Sequence, residues 1–187
     1  MKITGGIAGG IPIEVLKGGR TRPTTDRIRE SMFGRLQYRL EDAVVLDLFA
    51  GSGALGLEAA SRGARKVDWV EKHAKTAKNI ERNAGKLPRA GVDANMKVHC
   101  TDSYRYVKSG SLEKTDLIFV DPPYTHFEPK GAFDHLMQAI YKSGILAKDG
   151  LLVIESSSRL RLPEHEAWEC TKSKNYGSST LSFWKLL

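Results

Sequence analysis

The sequence has few cysteines and no long apolar run. Its two cysteines, Cys100 and Cys170, match no metal-ligand spacing, which argues against a disulfide framework or a zinc site. We expect both to be small buried side chains. No apolar stretch approaches the roughly 18 residues that span a bilayer, and the first residues lack the apolar core of a signal peptide. We therefore expect a cytoplasmic protein without a metal or a membrane partner. We also expect a monomer.

The chain has the size and composition of one ordinary globular domain with a small appendage. It has 187 residues, of which 41% are hydrophobic and 27% charged, and this composition excludes disorder, collagen and coiled coil. The change of pattern near residue 41 predicts an N-terminal appendage over residues 1–40, a hairpin followed by a helix. Residues 41–187 then form the main domain.

Positive charge is concentrated in the appendage. The net charge is +7, and residues 1–40 contain eight basic residues against three acidic ones. A localised basic segment attracts nucleic acid by releasing counterions. The alternative is a solvated face that only aids solubility. On the first interpretation, the expected phosphate contacts are Arg20, Arg27, Arg35 and Arg39.

The helix of the appendage is predicted to begin at Pro23-Thr24-Thr25-Asp26, where a threonine can cap it. Its apolar stripe consists of Ile28, Met32, Phe33, Leu36 and Leu40, and the arginines are expected on the other faces.

From residue 44, short apolar runs alternate with helical stretches, which is typical of βαβ units and a parallel sheet. Strands are predicted at 44–48, 66–71, 96–100, 117–120 and 151–155, and helices at 53–62, 73–87, 102–108 and 131–142. The last residues predict an antiparallel strand pair, 167–171 with 180–186, at the edge of the α/β sheet.

A glycine-rich loop follows the first predicted strand. Gly51-Ser52-Gly53 opens a helix, and Glu71 lies 20 residues beyond Gly51 at the end of the next strand. This spacing fits an adenosine-containing cofactor whose ribose hydroxyls meet the carboxylate. Both a dinucleotide and S-adenosylmethionine satisfy it. Asp47 favours S-adenosylmethionine because an acid there can meet a cationic aminoacyl group.

Asp102 and Ser103 follow the third predicted strand, where they are candidates for hydrogen bonds to an adenine. The alternative role for Asp102 is a helix cap. Asp47, Glu71 and Asp102 thus lie at the ends of three successive predicted strands. This arrangement supports a cofactor site at the carboxyl edge of the sheet.

The tetrapeptide Asp121-Pro122-Pro123-Tyr124 ends the fourth predicted strand. Two prolines fix the backbone, so the Asp121 carboxylate and the Pro122 carbonyl can both accept hydrogen bonds from one amino group. Tyr124 offers a flat face for a base that has left its stack. The alternative is a strand ended by prolines with an aromatic plug.

Leu46 to Gly53 together with Asp121-Pro122-Pro123-Tyr124 resembles S-adenosylmethionine-dependent amino-group methyltransferases. Arg22 to Glu30 and Tyr176-Gly177 narrow the resemblance to the bacterial 16S ribosomal RNA (guanine(966)-N(2))-methyltransferase family. One departure is Ala8-Gly9-Gly10-Ile11, where that family carries basic residues in its first hairpin.

The resemblance implies the seven-stranded Rossmann-like methyltransferase sheet and methyl transfer to a guanine N2, on 16S rRNA or an assembling small ribosomal subunit. Catalysis is assigned to the four residues from Asp121 to Tyr124. Cofactor binding is assigned to Arg22, Thr24, Thr25, Asp47, Phe49, Ala50, Gly51, Ser52, Gly53, Glu71, Lys72, Asp102 and Ser103. His126 and Phe127 join the arginines as candidate RNA contacts.

Other functions remain open. A dinucleotide-dependent oxidoreductase shares the glycine loop, a methyltransferase acting on a protein glutamine amide shares the acceptor chemistry, and so does one acting on another RNA or DNA base. The proline tetrapeptide argues against the first, and the basic N-terminal segment favours nucleic acid over the second. The intact Asp121 and Tyr124 argue against a binding protein that has lost catalysis.

Overall fold

Seven strands form one sheet in the computed structural model, which describes residues 1–16, 26–109 and 113–187. The strands are β1 Val44–Asp47, β2 Lys66–Val70, β3 Asn95–His99, β4 Thr115–Val120, β5 Leu146–Ser157, β6 Trp168–Tyr176 and β7 Ser179–Leu186. Their order is β3-β2-β1-β4-β5-β7-β6, with β1 to β5 parallel and β7 antiparallel to β5 and to β6. The predicted sheet with a C-terminal hairpin at its edge is confirmed.

Among the described residues, five α-helices cover the two faces of this sheet. They are α1 Asp26–Leu36, α2 Ala54–Ser61, α3 Ala74–Ala84, α4 Ser103–Ser109 and α5 Ala132–Ser143. Apolar side chains of α1, α2 and α3 pack on one face in a core that includes Phe33, Leu57 and Ile80. Those of α4 and α5 pack on the other, with Val107 and Leu136.

Within residues 1–16 the chain folds back on itself, as the sequence predicts, but forms only a single bridge, between Lys2 and Pro12. Ile3 and Ile11 are joined by a backbone hydrogen bond of 3.0 Å, and Ile3 is 1% exposed in the core shared with α1 and α2. The described residues of the appendage therefore pack on the sheet domain directly.

A buried carboxylate holds this segment to α2. Glu58 is fully buried and accepts hydrogen bonds from the Thr4 amide at 2.8 Å and the Thr4 hydroxyl at 2.6 Å. Arg62 pairs with the same side chain at 2.7 Å. Removing one partner of a buried ion pair leaves an uncompensated charge, which destabilises a protein strongly.

We expect Glu58→Gln to lower the free energy of unfolding by about 3 kcal/mol, because the Arg62 guanidinium loses its charged partner. Urea denaturation measures the effect. The matched control is Glu169→Gln, which breaks the exposed Lys185–Glu169 pair and should cost less than about 1 kcal/mol. Equal losses in the two variants would contradict a special role for the buried pair.

Two expectations about burial are wrong. Cys100 and Cys170 are exposed, because β3 and β6 are the edge strands of the sheet and Cys100 directly follows β3. Arg29 is fully buried rather than on an outer face of α1: its Nη2 donates to the Lys2 carbonyl at 2.7 Å and pairs with Asp26 at 2.8 Å. The N-terminal segment covers a side of α1 that lies outside the apolar stripe, so Arg29 on that side is buried.

Candidate active site

The carboxyl ends of β1, β2 and β4 bring three acidic residues to one edge of the sheet. Asp47 lies in register with Trp69 of β2 and Phe119 of β4. Glu71 directly follows β2 and Asp121 directly follows β4. Open parallel sheets bind their ligands at this edge, outside the ends of the strands.

The glycine loop between β1 and α2 requires its glycines for two reasons. Gly51 and Gly53 have φ of 52° and 80°, a conformation that other residues adopt at a cost. A Cβ on Gly53 would lie 2.9 Å from Ile80 Cγ2, and one on Gly56 would lie 2.2 Å from Trp69 Nε1. Gly53 therefore lets α3 lie close to the loop, and Gly56 lets α2 approach β2 closely.

Glu71 fastens this loop to the end of β2. Its Oε2 accepts the Gly51 amide at 3.1 Å and its Oε1 accepts the His73 amide at 2.8 Å. The side chain is 8% exposed. Since each carboxylate oxygen can accept a second hydrogen bond, both remain able to take a hydroxyl donor.

Asp47 is a buried carboxyl at this edge. It is 1% exposed, its Oδ2 accepts the Gly56 amide at 3.3 Å, and its Oδ1 has no hydrogen-bond partner among the residues that the structure describes. Burial raises the pKa of Asp47 to about 7, with Glu71 adding to the rise and the Gly56 amide opposing it. A cation beside Oδ1 would compensate the buried charge.

Asp102 caps the N-terminus of α4, which is the alternative to an adenine contact that the sequence leaves open. Its Oδ1 accepts the amides of Tyr104 at 2.9 Å and Arg105 at 3.1 Å, while the residue stays exposed. Ser103 is buried and its hydroxyl donates to the carbonyl of Leu48, the residue after β1, at 2.5 Å, so its single proton is engaged there. Ser103 therefore joins α4 to the end of β1.

The acid-proline-proline segment leads from β4 into a 3₁₀ turn at Tyr124–Phe127. Asp121 is half-buried, and Pro123 accepts the His126 amide at 2.7 Å. The side chain of Tyr124 lies outside the described part of the structure. Val120 of β4 pairs with Ile154 of β5. The residue after Val120, Asp121, is therefore the register neighbour of the residue after Ile154, Glu155. Glu155 is 4% exposed.

His126 belongs to a group of rings beside the glycine loop. Its ring contacts Phe49 edge-on at 4.9 Å and stacks on Tyr104 at 5.9 Å, and Tyr104 stacks in turn on His135 at 4.9 Å. Burial lowers the pKa of His126, with Lys72 adding to the effect and Asp102 opposing it. His126 therefore ties the turn after Pro123 to the loop after β1 and to α4.

Phe127, expected as an RNA contact, is instead 5% exposed in the core, where it packs edge-on against Phe133 at 5.7 Å. This packing leaves its ring no surface for a base.

The remaining candidates are distributed over the molecule. Lys72 is exposed after Glu71, Ala50 is buried and Ser52 is half-buried. Outside the described residues lie four predicted residues, Arg20, Arg22, Thr24 and Thr25.

The basic candidates on and after α1 have different surroundings. Arg27 is exposed on α1. The Arg35 guanidinium lies 5.4 Å from the centre of the Phe183 ring, and Arg39 donates to the Asp149 carbonyl at 2.9 Å.

Within residues 1–16, 26–109 and 113–187, no group of three or more histidine, cysteine, aspartate or glutamate residues could hold a metal ion. Over the same residues, no helix has the length and apolar character needed to cross a membrane.

Comparison with known proteins places most of the chain in one group. The family model described as conserved hypothetical protein 95 matches residues 1–185. Ribosomal RNA small subunit methyltransferase D of Escherichia coli (strain K12) is 33% identical over 178 residues, 95% of this chain and 85% of the relative. The Haemophilus influenzae protein of the same name is 30% identical over 95% of this chain and 89% of its own length.

A solved structure shows the same extent of similarity. yhhF from Escherichia coli superposes with a TM-score of 0.84 at 31% identity, covering 100% of this chain and 97% of its own. The similarity therefore includes the N-terminal segment as well as the sheet.

Proposed function

The chain belongs to the conserved hypothetical protein 95 family, and on that premise we propose that it transfers a methyl group from S-adenosylmethionine to the N2 of a guanine in 16S rRNA. The observation that carries the proposal is the position of Asp121-Pro122-Pro123, at the strand edge that also holds the glycine loop and Glu71. The relatives named rRNA small subunit methyltransferases support the substrate class.

The residues at the strand ends fit the cofactor. The orphan Oδ1 of Asp47 suits the ammonium group of a methionine moiety, and Glu71 retains acceptor capacity for two ribose hydroxyls. Asp102 keeps Oδ2 for an adenine edge. The full set proposed for the cofactor is Arg22, Thr24, Thr25, Asp47, Phe49, Ala50, Gly51, Ser52, Gly53, Glu71, Lys72, Asp102 and Ser103.

Asp121 and Pro122 act on the acceptor nitrogen. The lone pair of the guanine N2 is delocalised into the ring, and hydrogen bonds from its two N–H groups to the Asp121 carboxylate and the Pro122 carbonyl favour a pyramidal, nucleophilic nitrogen. The cofactor, when bound, supplies an electrophilic methyl on a sulfonium. Holding the nitrogen in line with that methyl accounts for most of the catalysis. When N2 gains the methyl it loses a proton, which the Asp121 carboxylate would accept, and the cofactor would leave as its neutral thioether. Tyr124 provides the face on which the extruded base stacks.

Cofactor binding should release a proton at mildly acidic pH. Asp47 has a pKa of about 7, so its carboxyl is mainly protonated at pH 6, and the cofactor's ammonium favours the ionised form. We expect S-adenosylhomocysteine binding to release up to one proton at pH 6 and almost none at pH 8.5. Affinity should rise with pH up to about 7 and then level off. Calorimetry in buffers of different ionisation enthalpy measures the proton count.

Asp47→Asn is the control for this prediction, because the amide cannot titrate. It should bind the cofactor analogue more weakly and without a change in proton release between pH 6 and pH 8.5. Proton release that persists in the variant would assign the effect to another group.

In this proposal, residues 41–187 form the catalytic domain and residues 1–40 contribute to holding RNA. Folded rRNA offers unstacked bases that a duplex lacks. We propose that a cytoplasmic monomer acts on 16S rRNA, naked or in an assembling small subunit.

Two measurements test this function. Calorimetric titration should detect S-adenosylhomocysteine and not NAD; affinity for NAD alone would favour the oxidoreductase. Labelled methyl groups should enter unmodified small subunits or naked rRNA and not duplex DNA. Label that enters ribosomal protein would support the glutamine-amide alternative and contradict the proposal.

A further inference from the structure

One flank of α1 lies against the C-terminal hairpin. Arg27, Ser31 and Arg35 are spaced four residues apart and therefore share one side of the helix. The Ser31 hydroxyl forms a hydrogen bond with the Tyr176 hydroxyl at the end of β6. One turn later, the Arg35 guanidinium lies over the Phe183 ring of β7. The basic helix and the edge of the sheet thus form one continuous surface.

The edge strand β6 adds two lysines to this surface. Lys172 and Lys174 are in register with Phe183 and Leu181, whose side chains belong to the core on the α1 side. Both lysines are exposed, and Lys174 Nζ lies 5.0 Å from the centre of the Tyr176 ring. We call the surface formed by Arg27, Arg35, Lys172 and Lys174 the α1–β6 ledge.

The ledge carries positive charge without neutralising partners. None of its four cations forms an ion pair with a carboxylate among the residues that the structure describes. Glu169, the nearest acid along β6, is already paired with Lys185 at 2.9 Å. Glu30 lies three residues beyond Arg27 on α1, a neighbouring position, but no ion pair joins the two in the described structure. Four uncompensated cations in one strip suit a polyanion.

We propose that the α1–β6 ledge binds phosphates of the RNA substrate, an inference that rests on the proposed function. The ledge extends to Tyr176 at the end of β6. Tyr176 pairs with Ser179 of β7, and Ser179 pairs with Ser157 at the carboxyl end of β5. A backbone held along it is therefore led to the strand edge that holds Asp121. The phosphate contacts position the substrate, whereas the base is recognised at that edge.

An exposed aromatic ring favours RNA over an acidic protein as the ligand of the α1–β6 ledge. Tyr38, three residues beyond Arg35, is 91% exposed. Basic grooves that bind single strands combine cations with rings on which bases stack. An acidic peptide would use the cations and leave the ring unused.

The test is direct binding of a naked 16S rRNA transcript at several salt concentrations. Lys172→Gln/Lys174→Gln removes two charges from the ledge, and Lys97→Gln/Lys142→Gln removes two exposed charges from β3, at the opposite sheet edge, and from α5. The ledge variant should bind about tenfold more weakly near 0.1 M salt, with a salt slope shallower by about 1.5 units. The control should bind like wild type. Equal affinities for the two double variants would overturn the proposal.

A second pair of variants separates bases from phosphates. Tyr38→Ala should weaken binding at least about fivefold through lost stacking. Tyr141→Ala, which removes a 49% exposed ring from α5, should not. If Tyr38→Ala has no effect and polyglutamate competes as well as rRNA does, the ledge binds an acidic protein and the RNA assignment is wrong.

The binding assay does not depend on turnover. Methyl transfer by the wild type is measured in parallel, and its absence would contradict the proposed function while the binding series still decides the role of the ledge. If the wild type is active but Lys172→Gln/Lys174→Gln binds as the control does, the role of the ledge is contradicted and the proposed function is not.

Discussion

Asp121→Ala is expected to lower kcat for rRNA methylation by about 10³-fold while S-adenosylhomocysteine binds as in wild type. The carboxylate directly follows β4 and lies outside the glycine loop, so its loss removes an acceptor for the target amine and leaves the cofactor contacts in place. Single-turnover methyl transfer measures the rate, and calorimetry measures the affinity.

Asp134→Ala is the matched control, since this aspartate is exposed in the first turn of α5. It should retain wild-type turnover. Full activity of Asp121→Ala would refute the assigned chemistry. A large loss of cofactor affinity in that variant would instead move Asp121 to the cofactor.

Glu71→Ala is expected to weaken S-adenosylhomocysteine binding by about tenfold to a hundredfold, the scale for losing charge-assisted hydrogen bonds. The carboxylate is assigned to the ribose hydroxyls, and it also holds the Gly51 and His73 amides, so the variant loses both a ligand contact and the fastening of the loop. Calorimetric titration gives the dissociation constant.

Two further measurements isolate the ribose role. Glu81→Ala, an exposed glutamate of α3, should bind the analogue as wild type does. At saturating S-adenosylmethionine, Glu71→Ala should recover most of its turnover, because the methyl acceptor site is intact. An unchanged dissociation constant in Glu71→Ala would remove Glu71 from the cofactor site.

The sheet and the positions of the strand-end acids were predictable because both depend on local patterns. Alternation of short apolar runs with helices predicts parallel strands, and parallel strands end at one edge, so Asp47, Glu71 and Asp121 had to meet there. The positive φ of Gly51 and Gly53 also follows from their type and from the turn they occupy.

Contacts between segments distant in the chain were not predictable. Glu155 neighbours Asp121 only because β5 pairs with β4 in that register. Arg29 is buried because residues near the N-terminus cover its flank of α1, a contact that no helical period encodes. Lys172 and Lys174 lie more than a hundred residues after the basic N-terminal segment, and folding alone joins the two.

The identity of the methylated nucleoside tests the account most directly. Unmodified small-subunit rRNA is incubated with labelled S-adenosylmethionine and wild-type protein, digested to nucleosides and separated, with Asp121→Ala as the blank. The account predicts that the label appears in N2-methylguanosine and is lost in the variant. Label in a methylated adenosine or cytidine, or equal labelling by the two proteins, would contradict it.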